Sequence, residues 1–269
     1  MRLRKVWAFF HRDFLWDVSY PFNFAWRFAS ILFNLVTFYF LGQLIAGGAS
    51  PYLATYGGLY FPFVMVGLAL SSFQGVALIS ISQTISYGMY TGTLEAMLVT
   101  PTGLSTIVFA SVLYPFVSAL LEIAVYLLCS AIFFGMPLSQ ANLPAAALLL
   151  ALTLLAHLPL GILSAGFLLI FKRGDPVTML MGHLSGLVAG VYFPLQVLPG
   201  WLQTVAQFLP FTHALEGLRQ AVLNGRGLAG LSSQITVLGL FALILTPISL
   251  ALFAWAVRQA KRLGTLSQF

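Results

Sequence analysis

Long apolar segments, separated by short polar stretches, take up most of this 269-residue chain. Charged residues make up only 7% of it and hydrophobic residues 60%, whereas roughly a quarter of a soluble domain is charged. A helix needs about 20 apolar residues to cross a bilayer. Six segments are predicted as spans: 22–45, 59–82, 106–134, 145–171, 177–192 and 235–257. The sequence therefore predicts an all-α integral membrane protein, with a single transmembrane domain over residues 1–269.

The first 18 residues predict a helix that lies along the membrane surface. Leu3, Val6, Trp7, Phe10 and Phe14 fall on one helical stripe, and charged residues occupy the remaining surface. This pattern is typical of a helix in the headgroup region. Two aspartates interrupt the apolar core that a signal peptide would need, so we expect the segment to be retained.

The fifth predicted span is too short to cross the membrane unaided. Its 16 residues reach about 24 Å as a helix, against a hydrocarbon core of roughly 30 Å. The apolar residues that follow are interrupted by Pro194, Pro199 and Pro210, and irregular backbone at membrane depth must be buried in protein or face water. We therefore expect short re-entrant or outer-surface helices over 195–223, between the fifth and sixth spans.

The distribution of basic residues predicts the orientation. Ten of the twelve Lys and Arg residues lie at the two ends of the chain or at 172–173, all on one side of six spans. By the positive-inside rule this side is the cytoplasm, so both termini are predicted to be cytoplasmic in a multi-pass protein of the plasma (inner) membrane. Arg27 is expected to extend back to that interface. The basic residues form no dense patch, which argues against nucleic acid as a partner.

The segment 87–102, between the second and third spans, is the least membrane-like stretch of the chain. Leu94, Met97 and Leu98 share one helical face, while Glu95 lies in the first turn, where the helix dipole favours a carboxylate. Thr91 or Thr93 can cap the start, and Pro101 ends the helix. We predict a short cytoplasmic helix whose acidic, apolar face meets a basic partner; a simple connecting turn is the alternative.

Motifs for enzymatic chemistry are absent from the sequence. None of the three lysines follows a glycine, so the chain has no phosphate-binding GK[ST] loop, and the HExxH and GxSxG patterns are missing as well. His213 and Glu216 have helical i, i+3 spacing but no further ligands nearby, and Cys129 is the single cysteine. We therefore predict no enzyme active site, no bound metal and no cofactor in this chain.

Glu122 is the most informative single residue, because a carboxylate in the middle of a span is costly unless it faces protein or water. It is predicted to face inward, with His157 or His183 as a candidate partner. Glu122 and Gln74 are candidate polar groups of a transport path. A proton-coupled secondary transporter that uses Glu122 is one alternative. An intramembrane enzyme would need Glu122 and the two histidines to converge on one site.

Small residues recur every fourth position along the fifth predicted span, at Thr178, Gly182, Gly186 and Gly190. Such a stripe lets another helix approach closely. The partner helix can belong to the same bundle, to a second copy of the chain across a dimer seam, or to the wall of a transport path. The sequence leaves these three possibilities open.

Two stretches resemble the membrane-spanning subunit of ABC exporters of the type-2 permease class. Residues 92–101, GTLEAMLVTP, are similar to the cytoplasmic helix between spans two and three of that family. Residues 190–225, GVYFPLQVLPGWLQTVAQFLPFTHALEGLRQAVLNG, are similar to its signature after span five. The N-terminal helix and the number of spans agree with the same family.

The resemblance implies a complex of two permeases with two separate ATP-binding subunits, which bind the ATP and Mg²⁺. It assigns the contact with the ATPase to a coupling helix, with Leu94, Glu95, Met97 and Leu98 at the interface. The second permease is another copy of this chain or a related one, and membrane lipids surround the complex. The implied function is export of an amphipathic cargo such as a drug, a lipid or a glycan.

Overall fold

The computed structural model describes residues 2–45, 51–93, 99, 104–172 and 175–262, and these residues are almost entirely helical, with no β-strand among them. The α-helices are α1 (Arg2–Ser19), α2 (Pro21–Ile45), α3 (Tyr60–Tyr90), α4 (Leu104–Phe134), α5 (Leu143–Phe171), α6 (Pro176–Val188), α7 (Gly200–Gln207), α8 (Pro210–Leu223) and α9 (Ser232–Arg262). Short 3₁₀ turns occupy Pro51–Tyr56, Leu195–Val197 and Leu228–Leu231. The all-α prediction is confirmed for the described part of the chain.

Five helices in the described residues are long and apolar enough to cross a membrane. They are α2, α3, α4, α5 and α9, and they coincide with five of the six predicted spans. The fifth predicted span is not among them, because α6 has only 13 residues, about 20 Å of helix. A sixth crossing therefore stays a prediction that depends on the residues after Val188.

Helix α3 continues eight residues beyond the predicted end of its span at 82. Its polar residues remain compatible with the helix, since the hydroxyl of Thr84 donates back to the carbonyl oxygen of Ser80 at 2.9 Å. Thr91 then forms the C-cap of α3, and its hydroxyl donates to the carbonyl oxygen of Tyr87 at 2.8 Å. Thr91 therefore ends α3, and the capping of the coupling helix by Thr91 or Thr93 stays a prediction, because 94–98 lie outside the described residues.

Helix α3 is the centre of the bundle. It packs against α4 on one side and α5 on the other, and most of its side chains are buried, including Phe63 and Phe73. α9 packs along α5, while α2 lies at the periphery. Both outer helices expose large apolar side chains, such as Phe33 and Leu243, as expected of surfaces that face lipid or another subunit.

Close contact between α3 and α5 depends on a missing side chain. A Cβ atom added at Gly161 of α5 would lie 2.6 Å from the carbonyl oxygen of Ala77 and 3.0 Å from that of Leu78. Both contacts are to backbone, which cannot move without shifting α3. Glycine at this position therefore sets the distance between the two helices.

Replacing Gly161 by alanine should destabilise the protein by about 1–3 kcal/mol, the usual cost of overpacking, although alanine favours helix by roughly 1 kcal/mol. Gly239→Ala in α9 is the matched control, because its added Cβ would have nothing within 4 Å. Unfolding by SDS in mixed micelles measures both variants. Equal stability of the two would contradict the proposed close contact.

Candidate functional site

A cavity of about 610 Å³ lies between the N-terminal helix α1, the start of α2, and the facing sides of α3 and α4. We call it the polar cavity. Its charged lining residues are Asp13, Asp17, Arg27 and Glu122, and its uncharged polar ones include Ser72, Gln83, Tyr114 and Ser118. Such a concentration of polar groups inside an apolar bundle makes it the first candidate for a functional site.

Arg27 connects three helices at the wall of the polar cavity. Its Nη1 donates to the hydroxyl of Ser118 on α4 at 2.6 Å, and its Nη2 lies 3.6 Å from Oδ2 of Asp17 on α1. The hydroxyl of Tyr114 donates to the same Asp17 oxygen at 2.7 Å. Arg27 therefore faces α1 and α4, and does more than extend to the membrane interface as predicted.

Aromatic contacts hold α1 against α4 beside this ion pair. The rings of Phe10 and Phe14 meet the ring of Tyr114 edge to face, at centroid distances of 5.4 and 6.2 Å. Burial raises the pKa of the Asp13 carboxyl, an effect that the neighbouring Arg12 opposes. The apolar stripe predicted for α1 thus serves in part to close the polar cavity.

Glu122 lines the polar cavity and interacts with Arg27 and with the hydroxyl of Ser72. Neither of the two candidate histidines, His157 and His183, is among these interactions, and for His157 the structure contradicts the predicted pairing. Nδ1 of the buried His157 donates to the carbonyl oxygen of Thr153 at 2.7 Å, and its ring lies edge-on to that of Phe211 on α8. The histidine therefore lies on the α8 side of α5, whereas Glu122 lies between α3 and α4.

Two other predicted features, a polar side chain and a stripe of small residues, lie beside or along α6 rather than at the polar cavity. Gln74 is buried, and its Nε2 donates to the hydroxyl of Ser185 on α6 at 2.7 Å. Cβ atoms added at Gly182 and Gly186 would meet nothing within 4 Å, so none of the described helices packs against them. Gly190 lies beyond the end of α6 with φ +86°. The stripe is therefore shorter than predicted, and its role as a dimer seam stays a prediction.

The second polar cluster of the molecule surrounds Arg219 of α8, at the opposite end of the bundle from α1. Arg219 is 3% exposed, and its guanidinium donates to the carbonyl oxygens of Phe63, Gly190 and Val191 at 3.1, 2.9 and 3.0 Å. The guanidinium carbon also lies 3.4 Å from the centroid of the Phe63 ring. A single side chain thus connects α8 to the start of α3 and to the turn after α6. We call this arrangement the Arg219 cluster.

Glu216, one turn before Arg219, extends the Arg219 cluster. Its carboxylate accepts hydrogen bonds from the Tyr56 hydroxyl at 2.6 Å and from the amide of Gln220. Burial raises the pKa of the Tyr56 hydroxyl, as does the adjacent carboxylate, so the phenol remains a donor. Nε2 of His213 instead donates to the carbonyl oxygen of Gln207. His213 and Glu216 thus bond in different directions, and the described residues contain no group of three or more potential metal ligands.

The positions of the basic residues in the sequence do not show that Arg219 is buried. The available signal was its position in an otherwise apolar face of a 14-residue helix that also carries Leu215 and Val222. The four predicted coupling residues, Leu94, Glu95, Met97 and Leu98, lie outside the described residues. The structure therefore leaves the coupling helix a prediction.

A family model described as ABC-2 type transporter matches residues 4–223, most of the chain. This chain belongs to the ABC-2 type transporter family. The residues of both the polar cavity and the Arg219 cluster lie within the region that matches the family. The protein is accordingly a multi-pass membrane component of an ABC transporter and is not itself catalytic. Comparison with curated protein sequences finds no significant match.

Replacing Arg219 of this ABC-2 permease by lysine should destabilise the protein, because an ammonium group cannot reproduce the planar arrangement of donors. The expected loss is about 1.5–3 kcal/mol, the range for a hydrogen bond to a charged group. Arg226→Lys is the matched control, since Arg226 is exposed and its guanidinium donates only to the Gln220 side chain among the described residues. Thermal unfolding in detergent measures both, and equal melting temperatures would contradict a structural role for Arg219.

Proposed function

We propose that this permease is the membrane subunit of an ATP-driven exporter and that a separate subunit hydrolyses the ATP. The observation that carries the proposal is the family match over residues 4–223. The sequence supports the division of labour, because its three lysines lack the preceding glycine of a phosphate-binding loop. Energy for transport must then come from another polypeptide.

The ATPase contact is assigned to the coupling helix at 94–98. Leu94, Met97 and Leu98 provide an apolar face that fits a groove, and Glu95 provides a charge for an Arg or Lys of the ATPase. Closure of two ATPase subunits on ATP then shifts two permeases between inward-open and outward-open states. Nucleotide drives this shift only by binding one state more tightly than the other.

The orientation we propose places both termini and the polar cavity on the cytoplasmic side of the inner membrane. The positive-inside rule supports it, because α1 and the last turns of α9 carry most of the basic residues. The polar cavity is then positioned to receive cargo from the cytoplasm or the inner leaflet. The Arg219 cluster lies toward the outer surface, where α7 and α8 cover the path.

The walls of the polar cavity differ in how firmly they are attached. α3 and α4 belong to the packed centre of the bundle. α1 and the start of α2 are attached to α4 through the Arg27–Ser118 and Tyr114–Asp17 hydrogen bonds and through the ring contacts of α1 with Tyr114. Movement of the α1–α2 unit relative to α3 and α4 would change the volume of the cavity. An amphipathic cargo is suited to this position at the edge of the hydrocarbon.

The test is to look in the neighbouring reading frames for a chain with a GxxxxGK[ST] loop and to co-express that chain with this permease. We expect the two chains to co-purify and the complex to hydrolyse ATP faster when cargo is present. Uphill transport by the permease alone in liposomes would overturn the proposal. It would favour the proton-coupled alternative, in which Glu122→Gln should abolish transport while the protein still folds.

Reversing the charge of Glu95 in the coupling helix should uncouple ATP hydrolysis from transport. In the purified complex, Glu95→Arg should lower transport per ATP at least tenfold, which corresponds to about 1.4 kcal/mol of lost coupling. Glu95→Gln, which removes the charge and adds none, should have a smaller effect. If the Glu95→Arg complex keeps its coupled rate, the assignment of Glu95 is wrong.

A further inference from the structure

The polar cavity contains more negative than positive groups. Its walls carry three carboxylates, those of Asp13, Asp17 and Glu122, and one guanidinium, that of Arg27. Asp13 is paired with Arg12 at 2.7 Å, and Asp17 lies 3.6 Å from Arg27. Glu122 therefore shares Arg27 with Asp17 and has no ion pair within 4 Å among the described residues.

Because the Glu122 carboxylate has no ion pair of its own among the residues described, no paired charge offsets the free-energy cost of placing its charge within a span. Arg27, the one cation that interacts with Glu122 in the described part of the chain, is already bonded to Asp17 and to Ser118. The hydroxyl of Ser72 supplies one donor, which is less than an ionised carboxylate can accept. A positively charged group in the cavity would therefore improve the electrostatics of the site.

The other walls of the polar cavity add apolar surface and unused polar capacity. Val76 and Ile79 of α3 and Trp16 of α1 supply apolar area, which suits the body of an amphipathic molecule. The hydroxyl of Ser80, a buried lining residue, has no hydrogen-bond partner among the residues that the structure describes. The volume of about 610 Å³ falls in the range of small-molecule sites.

We propose that the polar cavity binds an organic cation with an apolar body, whose positive group lies against Glu122 and whose body lies along α3 and Trp16. This inference rests on the proposed function in taking the bound molecule to be cargo. An anionic cargo, such as an acidic glycan or a lipid phosphate, would face three carboxylates and an arginine that is already engaged. Charge thus distinguishes among the classes of cargo that the sequence leaves open.

The test uses a pair of probes of matched shape and opposite charge, tetraphenylphosphonium and tetraphenylborate. The full chain is placed in nanodiscs of phosphatidylcholine, a lipid without net charge, and binding is measured by equilibrium dialysis against empty nanodiscs. We expect saturable binding of tetraphenylphosphonium with one site per chain, and no saturable binding of tetraphenylborate. Saturable binding of both probes, or of the borate alone, would overturn the proposal.

Variants of the cavity wall locate the site. Glu122→Gln should weaken phosphonium binding at least about tenfold, the effect of removing one member of a desolvated charge pair. Gly75→Leu should block binding by bulk, because Gly75 lines the cavity and a Cβ there would meet nothing within 4 Å. Asp175→Asn is the matched control: it removes one negative charge outside the cavity and still caps α6.

The outcomes separate this inference from the proposed function. Size-exclusion profiles confirm that each variant is folded, and Gly75→Leu provides a second test if Glu122→Gln fails to fold. Phosphonium binding unchanged in both cavity variants would place the probe elsewhere and overturn the inference, even if an ATPase co-purifies with the permease. Glu122-dependent binding without any ATPase partner would support the cavity and count against the proposed function.

Discussion

The end of the bundle opposite α1 depends on the hydrogen bonds of one buried guanidinium, that of Arg219. Backbone carbonyls at the ends of helices lack partners within their own helix, and inside a membrane water cannot replace them. Helix α6 ends at Val188, and two of the carbonyls that follow it accept hydrogen bonds from Arg219, as does Phe63 in the first turn of α3. One side chain therefore allows the irregular backbone that follows α6 to be buried. Space for it exists because Gly67 has no side chain, and a Cβ there would lie 2.9 Å from Nη2.

The two ends of the bundle use polar residues in different ways. At the Arg219 cluster, donors and acceptors are matched and the guanidinium is almost fully enclosed. At the polar cavity, the charged groups of α1, α2 and α4 are partly exposed and surround open volume. A matched, enclosed cluster favours one arrangement of the backbone. The cavity end is held by an ion pair and by ring contacts, which can separate without exposing an unpaired backbone group.

Much of the architecture follows from local sequence, whereas the sites depend on pairing between distant residues. Apolar length predicts the five long helices, and the prolines at 194, 199 and 210 predict the interrupted region before α8. The apolar stripe of α1 predicts a helix but not its contact with Tyr114, which creates the polar cavity. Glu122 is recognisable as unusual, yet its neighbours depend on which face of α3 lies opposite. The burial of Arg219 cannot be predicted from the sequence, because the three carbonyls that surround it belong to distant parts of the chain.

The length of helix α3 connects distant parts of the permease. Its 31 residues run without interruption from the turn that holds Phe63 to Tyr90, next to the predicted coupling helix, a length of about 46 Å. Tight packing on α4 and α5 resists bending of α3, so any tilt of α3 moves the whole helix as one rigid unit. A tilt of about 5° at the Tyr90 end would displace the Phe63 end by roughly 4 Å. Force applied at one membrane surface can thereby reach the other through a single rigid element.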